Sequence, residues 1–263
     1  MGSATRKALA GTNAAMARLG RADLRVAEDL LAAGRIIGSS KQLRAALADA
    51  EADAAQKRKL IGAVFGSKLT ADAVTLLTDL TSNRWSKSVD LLEGIEELGF
   101  RIASESAPDV PIESELFTIG QAVASDAGLE LALGSKLNPA DSKVQIVDRL
   151  LSGKASPQTV AIVNHLVQQP RGGRIGELIR HAADIVAQQR GFGIVTVTTA
   201  APLAPTQLDR LVRGLEAQYG RALRVNTIVD PSVIGGVRVQ IGDDVIDGSV
   251  ASRLSTLRQK LAG

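Results

Sequence analysis

Residues 43–92 and 129–178 carry one apolar and basic pattern twice, at a constant offset of 86 residues. No other feature constrains the fold of this chain as much. Lys57, Lys68, Val74 and Leu80 recur as Lys143, Lys154, Val160 and Leu166. Conservative pairs fill the space between them: Leu60 with Ile146, Ile61 with Val147, Val64 with Leu150, Phe65 with Leu151, Leu76 with Ile162, and Leu77 with Val163. Leu43 and Leu47 meet Leu129 and Leu133 on one side, and Val89 and Leu92 meet Ile175 and Leu178 on the other. Any two amphipathic helices align somewhere by chance. Several segments aligned at one offset without a gap point to a duplicated unit.

The spacing inside each copy is helical. Leu9, Met16 and Leu19 mark a first amphipathic helix, and Leu24, Leu30, Leu31 and Ile37 a second. Leu43 and Leu47 give a short third, and Leu60, Ile61, Val64 and Phe65 a fourth that Gly66 is placed to end. Thr70 can cap a fifth bearing Val74, Leu76, Leu77 and Leu80, and Val89, Leu92 and Ile95 support a sixth. Pro108 and Pro111 interrupt the pattern. Ile112, Leu116, Ile119 and Val123 then restore a helical stripe, so the join between the copies is expected to be a helix. Asn138-Pro139 and Ser156-Pro157 read as helix starts in the second copy, a cap followed by proline. With 2% aromatic residues, the core must be aliphatic and alanine-rich, which suits closely approaching helices.

From Gly191 the pattern changes. Ile194-Val195-Thr196-Val197-Thr198-Thr199 is a β-branched run with strand preference. Pro205 opens a helix through Leu208, Leu211, Val212 and Leu215 that exits at Tyr219-Gly220. A second strand is expected over Leu223–Val229 and a third over Val237–Ile241, where Val237, Val239 and Ile241 alternate with Arg238 and Gln240. Gly235-Gly236 supplies a turn before that strand, and Ser249 can cap a last helix carrying Val250, Leu254, Leu257 and Leu261. The fold class is mostly α: two related helical bundles followed by a small α+β unit ordered β-α-β-β-α. The expected divisions are residues 1–106, 107–190 and 191–263.

The chemistry these residues allow is thin. Gly66-Ser67-Lys68 and Gly134-Ser135-Lys136 lack the spacing and the strand-to-helix context of a phosphate loop, and Gly191-Phe192-Gly193 opens a strand. His165 aligns with Asp79 in the repeat and reads as an exposed or capping histidine, as does His181. No nucleophile–base pair, cofactor site or metal cluster can be assembled, and the chain has no cysteine. Lys57-Arg58-Lys59 and Arg171-Gly172-Gly173-Arg174 read as a solvated face and a positive helix junction. The 31 basic residues are nearly balanced by 28 acidic ones, so neither cluster demands nucleic acid. A helical adaptor that binds nucleic acid through them stays as the alternative, with an enzyme of unknown type behind it. No run approaches the roughly 20 apolar residues that span a bilayer. The N-terminus lacks the apolar core of a signal peptide, so the chain is expected to stay inside the cell. Trp85, the sole indole, would seal the end of the first bundle or line a groove for a partner helix.

The spacing Leu223-x-Val225-x3-Val229-Asp230-x2-Val233-x-Gly235-Gly236-Val237-x-Val239-Gln240-x-Gly242, followed by Val245-Ile246-Asp247-Gly248-Ser249, resembles the delta subunit of bacterial F-type ATP synthases. That family is related to the mitochondrial oligomycin-sensitivity-conferring protein. Asp230, Gly235, Gly236, Gly242, Asp247 and Gly248 carry the signature. The family usually has one helical bundle before this region; two resemble the long actinobacterial form. The resemblance implies a non-catalytic, cofactor-free stator subunit on the cytoplasmic face of the plasma membrane. Its partners would be the alpha subunits of the catalytic head, with beta as a further candidate, and the b subunits of the peripheral stalk; it would touch the membrane only through them. It also implies a groove between the first and fifth helices for the alpha subunit's N-terminal helix, with Leu9, Met16, Val74, Leu77, Leu80 and Trp85 as candidates. The α+β unit would engage the b subunits.

The missing phosphate loop gives a direct expectation. Calorimetric titration of the purified chain with Mg-ATP should show no saturable site; a micromolar site would contradict it.

Overall fold

The computed structural model describes residues 3–16, 22–233, 235–241 and 244–248. Contacts divide the chain into two compact units, Met1–Val186 and Ala187–Gly263. The first is helical: α1 (Ser3–Met16), α2 (Leu24–Ser39), α3 (Lys41–Ala48), α4 (Ala54–Phe65), α5 (Ala71–Ser82), α6 (Ser88–Glu105), α7 (Ile112–Ser125), α8 (Ala127–Gly134), α9 (Ala140–Leu151), α10 (Pro157–Gln168) and α11 (Ile175–Gln189), whose last residues pass the boundary.

The offset of 86 maps α3, α4 and α5 end for end onto α8, α9 and α10, and places α2 on α7 and α6 on α11. It also places α1 on α6. The two helical sets therefore share a helix: α6 closes the first and stands where the second needs its opening helix. Packing agrees, since α1 lies on α5 as α6 lies on α10. The helix expected as a join, α7, is the counterpart of α2.

Short polar side chains start six of the described helices. Asp23, Ser40, Asp53, Thr70, Asp126 and Ser156 each accept a backbone N–H of the first turn. Ser156-Pro157 behaves as its sequence implies, with proline at the first helical position. Asn138-Pro139 does not. Pro139 itself occupies the cap, and the Asn138 amide turns back to donate to the Ala132 carbonyl at 2.8 Å. Gly66 does follow α4, but in right-handed helical geometry, because its N–H closes on the Gly62 carbonyl.

The cores are aliphatic and tight. Leu30, Leu31, Ile37, Leu77, Leu91, Ile95 and Leu98 are buried where α2, α5 and α6 meet. Glycines set the approach of α2 to α6: a Cβ on Gly99 would lie 2.7 Å from Leu31 Cδ2, and one on Gly34 3.3 Å from Ile95 Cγ2. The Trp85 indole lies across Gly94, where a Cβ would come within 2.2 Å of its ring.

The second unit contains β1 (Phe192–Thr199), α12 (Pro205–Tyr219), β2 (Ala222–Val229), β3 (Val237–Ile241) and β4 (Asp244–Asp247). The sheet order is β2-β1-β3-β4. The β1–β2 pair, joined through α12, is parallel, and the other two are antiparallel. Val195, Val197, Leu223, Val239 and Ile241 form one buried face, closed by Leu211, Leu215 and Tyr219 of α12. Gly220 ends that helix at φ 65°, a conformation that glycine adopts without a Cβ penalty. Strand β4 lies beyond the three strands that the sequence pattern implies. Its four residues are all exposed, and pairing with β3 holds it in place where sequence alternation does not. Leu19, Ile234, Gly242 and the helix expected after Ser249 lie outside the described residues.

Two glycine-to-alanine changes should have opposite signs. Gly94→Ala drives a methyl into the Trp85 ring and should cost about 1–3 kcal/mol. Gly62→Ala adds a methyl to an open helix face with nothing within 4 Å and should gain about 0.4–1 kcal/mol. Urea unfolding midpoints at constant m-value would check both.

Candidate partner-binding site

The six residues proposed for a groove between α1 and α5 fall into two classes. Leu77, Leu80 and Trp85 are buried within the first helical set, and the indole N–H donates to the Leu80 carbonyl at 3.0 Å. Leu9, Met16 and Val74 are half-buried at the margin. Helix α1 packs on α5 and α6, and the Thr5 hydroxyl donates to the Asp90 carboxylate while accepting the Ser86 N–H. The structure thus brings α1 and α5 together, with the inner apolar face of α5 already covered. In the second set, a crevice of about 160 Å³ opens among α6, α10 and α11, the counterparts of α1, α5 and α6. Phe100, Leu166, Leu178 and Ile185 give it apolar walls; Glu93 and His181 also line it.

Both fifth-position helices are held at their ends by charges, of which Asp29, Lys57 and Lys143 are buried and Glu115 half-buried, and the holds are repeats of each other. Asp29 on α2 accepts the Thr70 N–H at 2.7 Å at the start of α5. At the same offset, Glu115 on α7 accepts the Ser156 N–H at 2.9 Å at the start of α10. At the other end, Lys57 Nζ donates to the Thr81 carbonyl at 3.0 Å and Lys143 Nζ to the Val167 carbonyl at 3.3 Å. Each carboxylate sits at a positive helix end and each ammonium at a negative one. Burial lowers both lysine pKa values from the usual range, and Asp49 partly offsets the shift for Lys57. Lys57 is therefore not on a solvated face. It is buried to 5% exposure, whereas Arg58 and Lys59 are exposed.

A third arrangement has no counterpart in the repeat. His165 is fully buried, correcting its expected exposure. Its Nε2 lies 2.8 Å from Glu96 Oε1, and its Nδ1 lies 3.1 Å from Arg35 Nη1. Arg171, the one described non-glycine residue with positive φ, grips the same Glu96 carboxylate with both guanidinium ends. Arg35 can only donate, so Nδ1 accepts, and the ring is neutral with its proton on Nε2. Burial and the two arginines lower the His165 pKa, against the opposing pull of Glu96. Burial pushes the Glu96 carboxyl up, but His165 and Arg171 outweigh it and hold the group below its usual value. Asp79, Ala10, Trp85 and Gln121 stand at the positions of His165, Glu96, Arg171 and Arg35 in the other copy or its extension, so the repeat could not reveal this cluster. Helical spacing speaks only for neighbours on one helix, and the partners of His165 lie on α2 and α6.

In the second unit, the Asp230 carboxylate accepts the Ser232 N–H at 2.9 Å; the Ser232 hydroxyl first, and this N–H with it, lower its pKa. Gly235 and Gly236 adopt φ 65° and 85°. The Gly248 N–H donates to the Val237 carbonyl at 2.9 Å, and Asp247 ends β4. These contacts shape the sheet's turns. Among the described residues no group of three acidic or histidine side chains could hold a metal ion, and no helix is long and apolar enough to cross a membrane.

Comparison with known proteins places this geometry. The family model of the ATP synthase delta (OSCP) subunit matches residues 100–261, from within α6 onward. An ATP synthase subunit delta of Leifsonia xyli subsp. xyli is 55% identical, with both chains covered in full. Counterparts in Salinispora tropica and Kineococcus radiotolerans are 40% and 37% identical, each over 90% of this chain and over 88% and 87% of the relative's own length.

The repeated lysine holds are testable as a pair. Lys57→Met and Lys143→Met keep the aliphatic stem and leave a helix carbonyl unpaired, so each should cost about 1–3 kcal/mol in urea unfolding. The double variant should lose close to the sum, because the two sites share no partner.

Proposed function

We infer the role of this chain from its lineage: it belongs to the ATP synthase delta (OSCP) subunit family. It is a non-catalytic peripheral-stalk subunit, a stator part that ties the catalytic head to the membrane-anchored stalk and resists rotor torque during proton-driven ATP synthesis. The match over the whole of both chains to a subunit delta is the observation that carries this. The alternative of a nucleic-acid adaptor finds no support among the relatives.

The finer assignments follow from that role. The alpha subunits of the head are the partner of the helical region, with beta as a second contact, and the b subunits are the partner of the α+β unit. The chain works at the cytoplasmic face of the plasma membrane and reaches the lipid only through those partners. Residues 1–106, 107–190 and 191–263 act as its three functional parts, with α6 of the first also serving the second. Leu9, Met16 and Val74 form the rim that meets an incoming alpha-subunit helix, and Leu77, Leu80 and Trp85 form the floor beneath it. Two features support this: a stalk part needs broad, durable packing more than a pocket, and the half-buried residues belong to α1 and α5, which pack on each other. Asp230, Gly235, Gly236, Asp247 and Gly248 keep the sheet in shape for its own partner.

Because α6 serves both helical sets, severed halves would not test the groove, so the experiment uses the full chain. Binding to the catalytic head from salt-stripped membranes would be compared for wild type, Val74→Glu and Leu178→Glu, with circular dichroism as a fold control. Val74→Glu should weaken binding at least tenfold, and wild-type binding should persist at raised salt because apolar burial is little screened. Loss confined to Leu178→Glu would move the site to the crevice of the second set. Loss in neither would end the groove assignment.

A further inference from the structure

The cluster of Arg35, Glu96, His165 and Arg171 does more than fill space, because it lies where the second helical set touches the first. Arg35 belongs to α2, Glu96 to α6, His165 to α10 and Arg171 to the turn after α10. One turn beyond Arg35, Gly38 makes room for Gln169: a Cβ there would lie 1.8 Å from the Gln169 amide nitrogen. Two successive turns of α2 are thus fitted to the end of α10. The edge of the His165 ring meets Phe100 of α6, with ring centroids 6.1 Å apart.

We propose that this cluster is a latch fastening α10 to α2 and α6, and that a proton on the His165 ring opens it. The reason is the donor and acceptor count. Neutral His165 accepts from Arg35 and donates to Glu96, which also takes Arg171, so every contact is complementary. A protonated ring offers N–H on both sides. Its Nδ1 then faces the Arg35 guanidinium donor to donor, and three cations share one carboxylate in a site with no exposure at His165. Arg35 is half-buried and has a route to solvent, so the contact between α2 and α10 is the one that gives way. On α6, Glu93 and Glu97 line the crevice beside Glu96 and Arg171, with His181 of α11 opposite; Glu97 is held by Arg101 at 2.6 Å, and neither carboxylate bonds the His165 ring. Glu115 of α7 and Lys143 of α9 are engaged at its two ends, and Asp148 of α9 accepts from Asn164 at 3.0 Å.

The sign follows from the same geometry. Since the folded state holds the His165 pKa below its ordinary value, the latch contributes stability above the free-histidine range near pH 6.5. That contribution is lost progressively as pH falls from there towards the folded value. Glu96, held below the usual carboxyl range, stays ionised throughout this window.

The test uses the full chain labelled with ¹⁵N-histidine. With two histidines in the sequence, the His181→Gln variant assigns the ring signals. His165 should be the neutral Nε2–H tautomer at pH 7.5. Amide exchange in α10 and the facing turns of α2, corrected for intrinsic rates, should rise towards about tenfold per pH unit below pH 6.5. Exchange in α4 should not follow. A glutamine can donate to Glu96 and accept from Arg35 without gaining a proton, so His165→Gln should flatten the pH response. Exchange that stays level through the window, or that rises equally in His165→Gln, would overturn the latch, as would a ring that titrates near its free value. Should His165→Gln fail to fold, wild-type exchange set against the ring titration still decides.

Discussion

Everything in the helical unit hangs on carrying charge into its interior without leaving it unmatched. Helices α5 and α10 pack among their neighbours with their last carbonyls buried and their first amides half-buried. Such ends lack intrahelical partners, and inside a protein they must find others. Asp29 and Lys57 answer for α5, Glu115 and Lys143 for α10. The neighbouring helices α2, α4, α7 and α9 are thereby fixed by electrostatics along the helix axis as well as by packing across it. An aliphatic core with few aromatics offers little directional preference of its own, and these polar ties supply direction.

How much of this could be read beforehand depended on whether the signal was local. The β-branched run at 194–199, the alternation at 237–241 and the glycine exit at 220 are local, and each appears where expected. The repeat exposed Lys57 and Lys143 as equivalents, but their role required knowing that α4 lies beside the end of α5. His165 misled for the same reason: its partners lie 130 and 69 residues away in the chain. Strand β4 gave no pattern because an exposed edge strand has no buried face to alternate towards. For the proposed groove, sequence marked apolar helix positions correctly as apolar. It could not divide them into those the bundle covers, such as Leu77, and those left at its margin, such as Val74.

The two helical sets differ in how they close the same corner. In the first, Trp85 packs against Gly94 and bonds the Leu80 carbonyl. In the second, Arg171 occupies the equivalent position and reaches back to Glu96 on the shared helix. One closure is apolar and insensitive to protons, the other ionic and anchored across the sets. Duplication followed by such divergence gives one copy a sealed end and the other a joint.

The sharing of α6 governs which shortened chains would keep a full helical set. Removing everything before residue 88 would leave α6 through α11, six helices with every position of the repeat filled. Removing the second set while keeping α1 through α6 would equally preserve six, but would detach them from the strand unit that follows α11. An excision that begins just after α6 leaves its remainder one helix short. Loss from the front up to α6 therefore yields a chain that is both complete and still joined to its sheet. The family model takes in the end of α6 and runs on through that sheet.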